Sequence, residues 1–231
     1  MEKEKIWYLK RLKLFEGPNA EVQIRELDKI AHHKQYKNNQ TVFLPGDRRR
    51  LVYLLKKGHI KLCRISPQGK SLTVALLEPG EIFGEIEALD NRPTASVAES
   101  LNALEPVTVC EIEHKDYVRY LHQFPEIAIK VLMLVGARAR QMEARMEDLA
   151  FKSVSSRLAN LFIELSEKYG QESPDGFRIS VRLTHQNLAD LVGANRETVT
   201  SFLSEFRREG LITQNKGYFF ILEKDKLNMI R

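Results

Sequence analysis

The chain has 231 residues, enough for two domains with separate cores, and its 43% hydrophobic and 29% charged residues exclude a disordered or fibrous protein. No apolar run is long enough to span a bilayer and the first residues lack the apolar core of a signal peptide, so we expect a cytoplasmic protein without a membrane partner. The net charge of +5 favours a polyanionic partner without identifying one.

The first half of the chain has the pattern of a helical segment followed by a β-domain. We expect the helical segment to end around His32–Lys34. Short apolar or alternating runs then follow from Thr41 to Ile112, separated by Gly and Pro turns, which indicates a β-sandwich or barrel. The predicted strands include Gln40–Leu44, Leu51–Leu55, His59–Ile65, Ser71–Leu77 and Glu81–Gly84.

Cysteine and histidine positions give no pattern of a metal site, and we predict none. The two cysteines, Cys63 and Cys110, are too few for a cysteine-ligated iron–sulfur cluster or a zinc finger. We expect both thiols to be buried; the alternative is a redox pair, which requires a fold that brings them together. A haem cofactor would need axial ligands, but the histidines that could serve stand in no motif and are predicted to be structural: His32, His33, His59, His114 and His122.

Pro125 is predicted to open a long helix, at the position where its missing N–H costs nothing. Apolar residues in this helix follow a heptad pattern: Ala128, Leu132, Val135, Ala139, Met142, Met146 and Leu149. The stripe is narrow, which favours pairing with the same helix of a second subunit; packing on the chain's own β-domain is the alternative. We therefore predict a homodimer. Its interface would contain Leu132, Val135, Ala139, Met142, Met146 and Leu149.

A second unit is predicted to follow Phe151. Val154–Lys168 has the pattern of an amphipathic helix, Tyr169–Gly176 that of a polar loop, and Phe177–Val181 that of a short strand. Two short strands near the C-terminus flank Gln214–Gly217, in which Asn and Gly favour a tight hairpin.

Between Thr184 and Gly210 the pattern is that of a helix-turn-helix. Thr184 is a good N-cap for His185–Val192, Gly193 can take the left-handed conformation that ends this helix, and Asn195 can cap Arg196–Glu209. The apolar contacts between the two helices are predicted at Leu188, Ala189, Val192, Ala194, Val199, Phe202 and Phe206. With the hairpin behind it, this motif is a winged helix.

The start of the second helix is expected to reach base edges in the major groove. Arg196 can pair with guanine and Glu197 can accept from the cytosine amino group, although an exposed ion pair within the helix is the alternative for these two residues. The start of the first helix is placed for phosphate contacts. The predicted DNA contacts are Thr184, His185, Gln186, Arg196, Glu197, Thr198, Thr200 and Ser201.

The whole chain resembles the CRP/FNR superfamily of bacterial transcription regulators. The similarity lies in Gly46–Asp47 and Tyr53–Ile60 of the early β-roll, Pro79–Glu85 of the phosphate-binding cassette, Leu149–Phe151 of the hinge and Asn195–Val199 of the recognition helix. The resemblance implies an α+β fold: an N-terminal double-stranded β-helix (jelly-roll, cupin-like) of the cyclic-nucleotide-binding type in residues 1–124, a dimerisation helix and hinge in 125–151, and a winged helix-turn-helix in 152–231. It also implies double-stranded DNA and RNA polymerase as partners.

The cassette departs from that of relatives which bind cyclic AMP. Gly84 and Glu85 match the family's glycine–glutamate pair, but Pro93–Ala95 stands where arginine and serine are expected, with Arg92 slightly early. Met142 and Glu143 occupy the helix positions where hydroxyl residues contact adenine. Because an arginine neutralises the cyclic phosphate in those relatives, both departures argue against cyclic AMP.

Another small-molecule effector, or action without one, stays open. Arg138 and Glu143 resemble, in spacing, polar residues of the branch that senses 2-oxoglutarate, although that branch's cassette arginine is not evident. Arg138 can hold a carboxylate; a salt bridge at the dimer interface is the alternative. The candidate effector residues are Gly84, Glu85, Ile86, Thr94, Ala95, Arg138, Met142 and Glu143.

We therefore predict a homodimeric transcription regulator that binds a palindromic promoter site, gated by an effector or constitutive, with activation or repression left open. The alternative is a module that binds a cyclic nucleotide or 2-oxoglutarate, with secondary DNA binding. An enzyme is not expected and no catalytic residue is assigned, because the chain has no nucleophile–base motif, metal-spaced cluster or Walker loop.

Overall fold

The computed structural model describes residues 13–37, 40–44, 46, 50–86, 97–101, 106–174 and 176–230. The chain divides into two compact units. The first contains the residues up to Arg64 together with Ala75–Arg140, and the second contains Ile65–Val74 together with Gln141–Arg231.

The first unit is a β-domain with helices before and after its strands. A 3₁₀ turn, Lys13–Phe15, leads into helix α1, Ala20–Ile30. Eight strands follow in the described residues: β1 (Ala31–Tyr36), β2 (Thr41–Phe43), β3 (Leu51–Lys57), β4 (Ile60–Ile65), β5 (Ser71–Leu77), β6 (Ile82–Phe83), β7 (Val97–Ser100) and β8 (Val107–Glu113). They form two four-stranded sheets, ordered β1-β8-β3-β6 and β2-β7-β4-β5. The predicted jelly-roll type of domain is confirmed.

The end of the first helix was predicted wrongly. Helix α1 stops at Ile30, and the expected helical end at His32–Lys34 lies in strand β1, which pairs along its whole length with β8. That pairing joins residues such as His33 and Cys110, far apart in the chain, so no local pattern records it. The helix expected over residues 1–12 lies outside the described residues.

Aromatic and aliphatic side chains form the core of this unit. The ring centroids of Tyr53 and Phe83 are 4.9 Å apart, and Phe43 of the other sheet lies 5.6 Å from Tyr53, so this cluster joins the two sheets. A second cluster packs the outer helices on β3 and β8 and includes Ile24, Leu54, Tyr117, Ile127 and Val131. Each fully buried side chain of this kind stabilises the fold by about 1.5–3 kcal/mol.

Two further helices follow: α2, His114–Gln123, and the long α3, Pro125–Phe151, which begins at the predicted proline. Helix α3 belongs to the first unit up to Arg140 and to the second from Gln141. Of the heptad positions, Val135 packs partly against the core cluster, whereas Leu132 and Met146 are 70% and 68% exposed. Part of the apolar stripe is therefore exposed in the single chain. None of the helices in the described ranges is both long and apolar enough to cross a membrane.

The second unit contains α4 (Val154–Tyr169), β9 (Gly170–Ser173), β10 (Gly176–Ile179), α5 (His185–Val192), α6 (Arg196–Arg208), β11 (Ile212–Asn215), β12 (Tyr218–Ile221) and α7 (Lys224–Asn228). Its described strands form one sheet, ordered β11-β12-β10-β9. The segment Tyr169–Gly176, predicted as a polar loop, contains the strand β9. Its polar side chains are mostly exposed, and backbone bonds to β10 rather than an apolar pattern make it a strand.

The inner face of α6 differs from the prediction by one residue. Val199, Leu203 and Phe206 are buried, whereas Phe202, expected to face inward, is only half-buried. Positions four and seven residues after Val199 share its helix face most closely, which places Leu203 in the core and Phe202 on the flank.

Replacement of Leu203 by alanine should destabilise the protein by about 2–5 kcal/mol, because the side chain is fully buried and its removal leaves a cavity. The variant Phe202→Ala should cost less, since that ring already contacts solvent. Urea unfolding followed by circular dichroism would measure both. A greater loss for Phe202→Ala than for Leu203→Ala would contradict this assignment of the inner face.

Candidate nucleic-acid interface and effector site

The first helix of the helix-turn-helix begins at a capping box. Thr184 Oγ1 accepts a hydrogen bond from the backbone N–H of Asn187 at 3.1 Å, and Asn187 Oδ1 accepts one from the backbone N–H of Thr184 at 2.9 Å. Thr184 is therefore the N-cap, as predicted, and its hydroxyl is engaged in capping the helix. Gln186, at the same end, is exposed and donates through Nε2 to Asp190 Oδ1 at 2.7 Å.

The turn between the helices has the predicted geometry. Gly193 adopts φ 64°, and its N–H donates to the carbonyl of Ala189, which is fully buried. A Cβ at Gly193 would lie 2.8 Å from Cδ2 of Leu149, so a side chain there would be strained as well as crowded. Asn195 Oδ1 then accepts from the N–H of Thr198 at 2.9 Å and caps α6 as predicted.

The first turn of α6 is presented to solvent. Arg196, Glu197 and Ser201 are exposed, and Thr198 and Thr200 are half-buried. The side chains predicted to read bases therefore stand outside the core, while Val199 anchors the same turn beneath them.

His185 contacts the recognition helix directly. Its Nδ1 lies 2.9 Å from Oγ1 of Thr200, and its ring lies 6.5 Å from that of Phe219. Burial lowers the pKa of His185, and the positive charges of Arg207 and Arg196 lower it further. Both effects favour the neutral form of the ring, whose Nδ1 lies within hydrogen-bond distance of the Thr200 hydroxyl.

Acidification should weaken the winged helix through His185. Because the pKa of His185 is lower in the folded than in the unfolded protein, the unfolded state binds the proton more readily. The His185 contribution should be complete above its unfolded pKa of about 6.5 and fall as the pH drops below that value. NMR titration of the ring should give a pKa below 6.5, and unfolding at pH 7.5 and 5.5 should show a smaller pH effect for His185→Gln than for the unmodified chain. A ring pKa above the ordinary value would contradict this account.

The hairpin and the segment around β10 carry basic residues that the sequence prediction did not name. The guanidinium groups of Arg178 and Arg182 lie 5.0 and 4.7 Å from the ring centroid of Tyr218, and Lys216 is exposed in the turn at φ 49°. Lys216 could have been named from the sequence, because it lies in the predicted hairpin turn. The arginine–tyrosine contacts could not, because they depend on the pairing of β10 with β12.

The candidate effector residues are partly brought together. Arg138 donates through Nη1 to Glu85 Oε1 at 3.1 Å and through Nη2 to the carbonyl of Ile82 at 2.8 Å. The side chain of Glu85 is only 4% exposed. Arg138 thus forms its salt bridge within the chain. Gly84 precedes this pair at φ 77°, and a Cβ there would lie 2.8 Å from the carbonyl oxygen of Leu51.

The other candidate effector residues have different surroundings. Ile86 and Glu143 are exposed, and Thr94 and Ala95 lie outside the described residues. In the second unit, Met142 lines a cavity of about 110 Å³ together with Met146, Leu149, Leu72 and Leu191. Three of the predicted dimer-interface residues therefore border this cavity.

Tyr117 is a further residue of the Glu85 neighbourhood. Its side chain is buried, and its hydroxyl has no hydrogen-bond partner among the described residues. Burial raises the pKa of Tyr117, and the charge of Glu85 adds to that effect. The sequence contains no signal for this residue, because its role depends on the packing of α2 against β3.

The two cysteines lie in different sheets and form no disulfide, and both are buried as predicted. Cys110 Sγ lies 3.3 Å from Nδ1 of His33, whose Nε2 lies 3.2 Å from Asp28 Oδ1. These contacts tie α1 to strands β1 and β8. In the part of the chain that the structure describes, no group of three His, Cys, Asp or Glu side chains is arranged to hold a metal ion.

Comparison with known proteins gives matches to both units. The family model of the cyclic nucleotide-binding domain matches residues 33–124, and that of the Crp-like helix-turn-helix domain matches residues 156–230. The "Global nitrogen regulator" of Synechococcus elongatus is 34% identical over 79% of this chain and 82% of its own length. The "CRP-like cAMP-activated global transcriptional regulator" of Mycobacterium tuberculosis is 28% identical over 95% of this chain and 96% of its own length.

Solved structures have the same fold. The c-di-GMP responsive global regulator CLP of Xanthomonas campestris matches with a TM-score of 0.77 at 21% identity, over 87% of this chain and 98% of that one. A CRP/FNR-family transcriptional regulator of Thermus thermophilus matches with a TM-score of 0.67 at 27% identity, over 86% of this chain and 97% of that one. The chain belongs to the CRP/FNR family and is a transcription regulator with a cyclic nucleotide-binding-type domain and a helix-turn-helix DNA-binding domain.

Proposed function

We propose that the chain acts as a homodimer on a palindromic promoter site, with the start of α6 from each subunit in the major groove. The observation that carries this proposal is the exposed first turn of α6, in which Arg196 and Glu197 stand clear of the core. The Asn195 cap closes the start of that turn, and buried Val199 anchors it to the core. A two-fold dimer would present two such turns to half-sites about one helical turn apart.

Each predicted contact other than Thr184, whose hydroxyl caps α5, would have a role in this complex. Arg196 would donate to guanine and Glu197 would accept from the cytosine amino group, while Thr198, Thr200 and Ser201 would reach neighbouring bases or phosphates. At the start of α5, the backbone N–H groups of His185 and Gln186 would bind a phosphate. Exposed Lys216 of the hairpin would make a further phosphate contact, as would Arg178 and Arg182, which lie over the ring of Tyr218.

The exposed heptad stripe supports the dimer. Leu132 and Met146 are each more than two-thirds exposed in the single chain, and such apolar surface favours a partner helix. The proposed interface consists of Leu132, Val135, Ala139, Met142, Met146 and Leu149. We propose that residues 1–124 form the effector domain, 125–151 the dimerisation helix and hinge, and 152–231 the DNA-binding domain. The protein would act in the cytoplasm on double-stranded DNA, with RNA polymerase as a partner. The relatives are transcription regulators, which supports a regulator and not an enzyme.

The β-domain would gate DNA binding through a small molecule at the Glu85–Arg138 pair. This pair joins the start of the cassette to helix α3, which would also form the dimer. A ligand that alters the Glu85–Arg138 salt bridge would therefore alter the position of α3. The Mycobacterium tuberculosis relative is cAMP-activated by name, but the departures at Pro93–Ala95 and Met142 weigh against that ligand here.

Selection of binding sites from random DNA tests the proposal. The purified full chain should enrich a symmetric motif, alone or with cyclic AMP or 2-oxoglutarate added. The control is the double variant Arg196→Ala/Glu197→Ala, which should lose the motif while keeping its thermal unfolding. Absence of any symmetric motif under all three conditions would contradict the proposal. If a ligand then still raised the unfolding temperature, the alternative of a ligand-binding module would stand.

A further inference from the structure

We propose that Glu85 is an internal anion that occupies Arg138 and thereby keeps dicarboxylate ligands out of the β-domain site. The proposal rests on the proposed gating of the chain by a ligand at this pair. It assigns Glu85 a role in specificity: the ligand class that fits carries at most one negative charge near Arg138 and brings hydrogen-bond donors for the Glu85 carboxylate.

Both terminal nitrogens of Arg138 are already engaged in hydrogen bonds within the chain. Arg138 uses Nη1 for Glu85 and Nη2 for the carbonyl of Ile82, so both terminal nitrogens are bound from the same segment of the β-domain. The side chains of Arg138 and Glu85 are 18% and 4% exposed, so water screens the ion pair little. The guanidinium is thus neutralised by the chain itself before any ligand arrives.

Charge balance then decides which ligand the site accepts. A dicarboxylate such as 2-oxoglutarate carries two negative charges, and one of its carboxylates would bind best by accepting hydrogen bonds from both terminal nitrogens of Arg138. Glu85 already accepts from Arg138, so the Glu85 carboxylate and the two carboxylates of the ligand would share one guanidinium. A like charge at this range in a poorly solvated site opposes binding. Removal of the Glu85 charge would leave Arg138 as an uncompensated, mostly buried cation that needs a counter-ion.

The buried Tyr117 hydroxyl is an independent sign that the site is built for a ligand. It has no hydrogen-bond partner among the described residues, and it lies near enough to Glu85 for the carboxylate charge to act on it. An unsatisfied buried hydroxyl is costly, and an acceptor atom of a bound molecule would satisfy it. A site containing one cation, one anion and one hydroxyl suits a ligand of mixed polarity better than a dianion.

Calorimetry with 2-oxoglutarate as the probe tests the role of Glu85. The unmodified chain should bind it weakly or not at all, and Glu85→Gln, of nearly the same shape, should bind it at least about tenfold more tightly. The double variant Glu85→Gln/Arg138→Gln should lose that gain, because the acquired site is the released guanidinium. Glu147→Gln removes an equal charge from an exposed position of α3 and should behave as the unmodified chain. Thermal unfolding of each variant verifies its fold, and Glu85→Ala replaces Glu85→Gln if the latter does not fold.

Two outcomes would overturn the inference. One is binding of 2-oxoglutarate by the unmodified chain as tight as by the Glu85 variant. The other is absence of binding by a folded Glu85 variant. Neither depends on DNA, so failure here is distinguishable from failure of the proposed promoter binding, which the site selection measures separately.

Discussion

Replacement of Met146 by glutamate should turn the protein into a monomer and lower its affinity for a palindromic site by about two orders of magnitude or more. The charge would lie in the apolar heptad stripe of α3, which would form the seam between the two subunits, and desolvation of a charge without a partner is costly there. The affinity falls because two linked recognition helices bind far more tightly than one. Sedimentation velocity would give the oligomeric state, and fluorescence anisotropy on the selected site would give the affinity.

Met146 also lines the cavity of the second unit, so a second variant is needed to separate dimerisation from local packing. Leu132 is 70% exposed and belongs to the first unit, away from that cavity lining. Leu132→Glu should therefore have the same effect on sedimentation and affinity. Glu147→Lys changes the charge on α3 outside the seam and should leave the dimer intact. Migration of both glutamate variants as dimers would show that the seam lies elsewhere.

The elements predicted correctly from the sequence are those whose determinants are local. Thr184, Gly193 and Asn195 are each bonded to a residue at most four positions away, and the resulting caps were predicted to the residue. Pro125 likewise marks the true start of α3. A cap depends on one side chain and a nearby backbone group, so the chain carries its signal in a few consecutive positions.

The elements predicted wrongly depend on distant partners. Strands β1 and β9 contain polar, mostly exposed residues, and their backbone bonds to β8 and β10 make them strands. The Glu85–Arg138 contact spans 53 positions, so each residue could be named as a candidate but the salt bridge could not. The same limit applies to Tyr117, whose buried hydroxyl becomes notable only beside Glu85. Pairwise contacts across a fold have no local pattern.

The recognition helix gives the second large prediction, which concerns sequence preference. Glu197→Ala should cost about 1–3 kcal/mol on the preferred half-site and should relax the preference at one base pair, because the carboxylate would no longer accept from the cytosine amino group. Anisotropy titrations on the operator and on its three substitutions at that position would measure both effects. The discrimination among the four bases should shrink, while affinity for the poorest of them changes little.

A matched control separates base reading from the general effect of charge on DNA binding. Glu209 lies exposed just beyond the end of α6, and Glu209→Ala removes the same charge at the opposite end from the base-reading turn. That variant should leave the ranking of the four bases unchanged. Lys216→Ala should weaken binding to all four alike and reduce the slope of log affinity against log salt by about one, as loss of a phosphate contact requires. If Glu197→Ala behaved like either of these variants, with every base affected equally, Glu197 would be an exposed helix residue and Arg196 or Ser201 would have to carry the specificity.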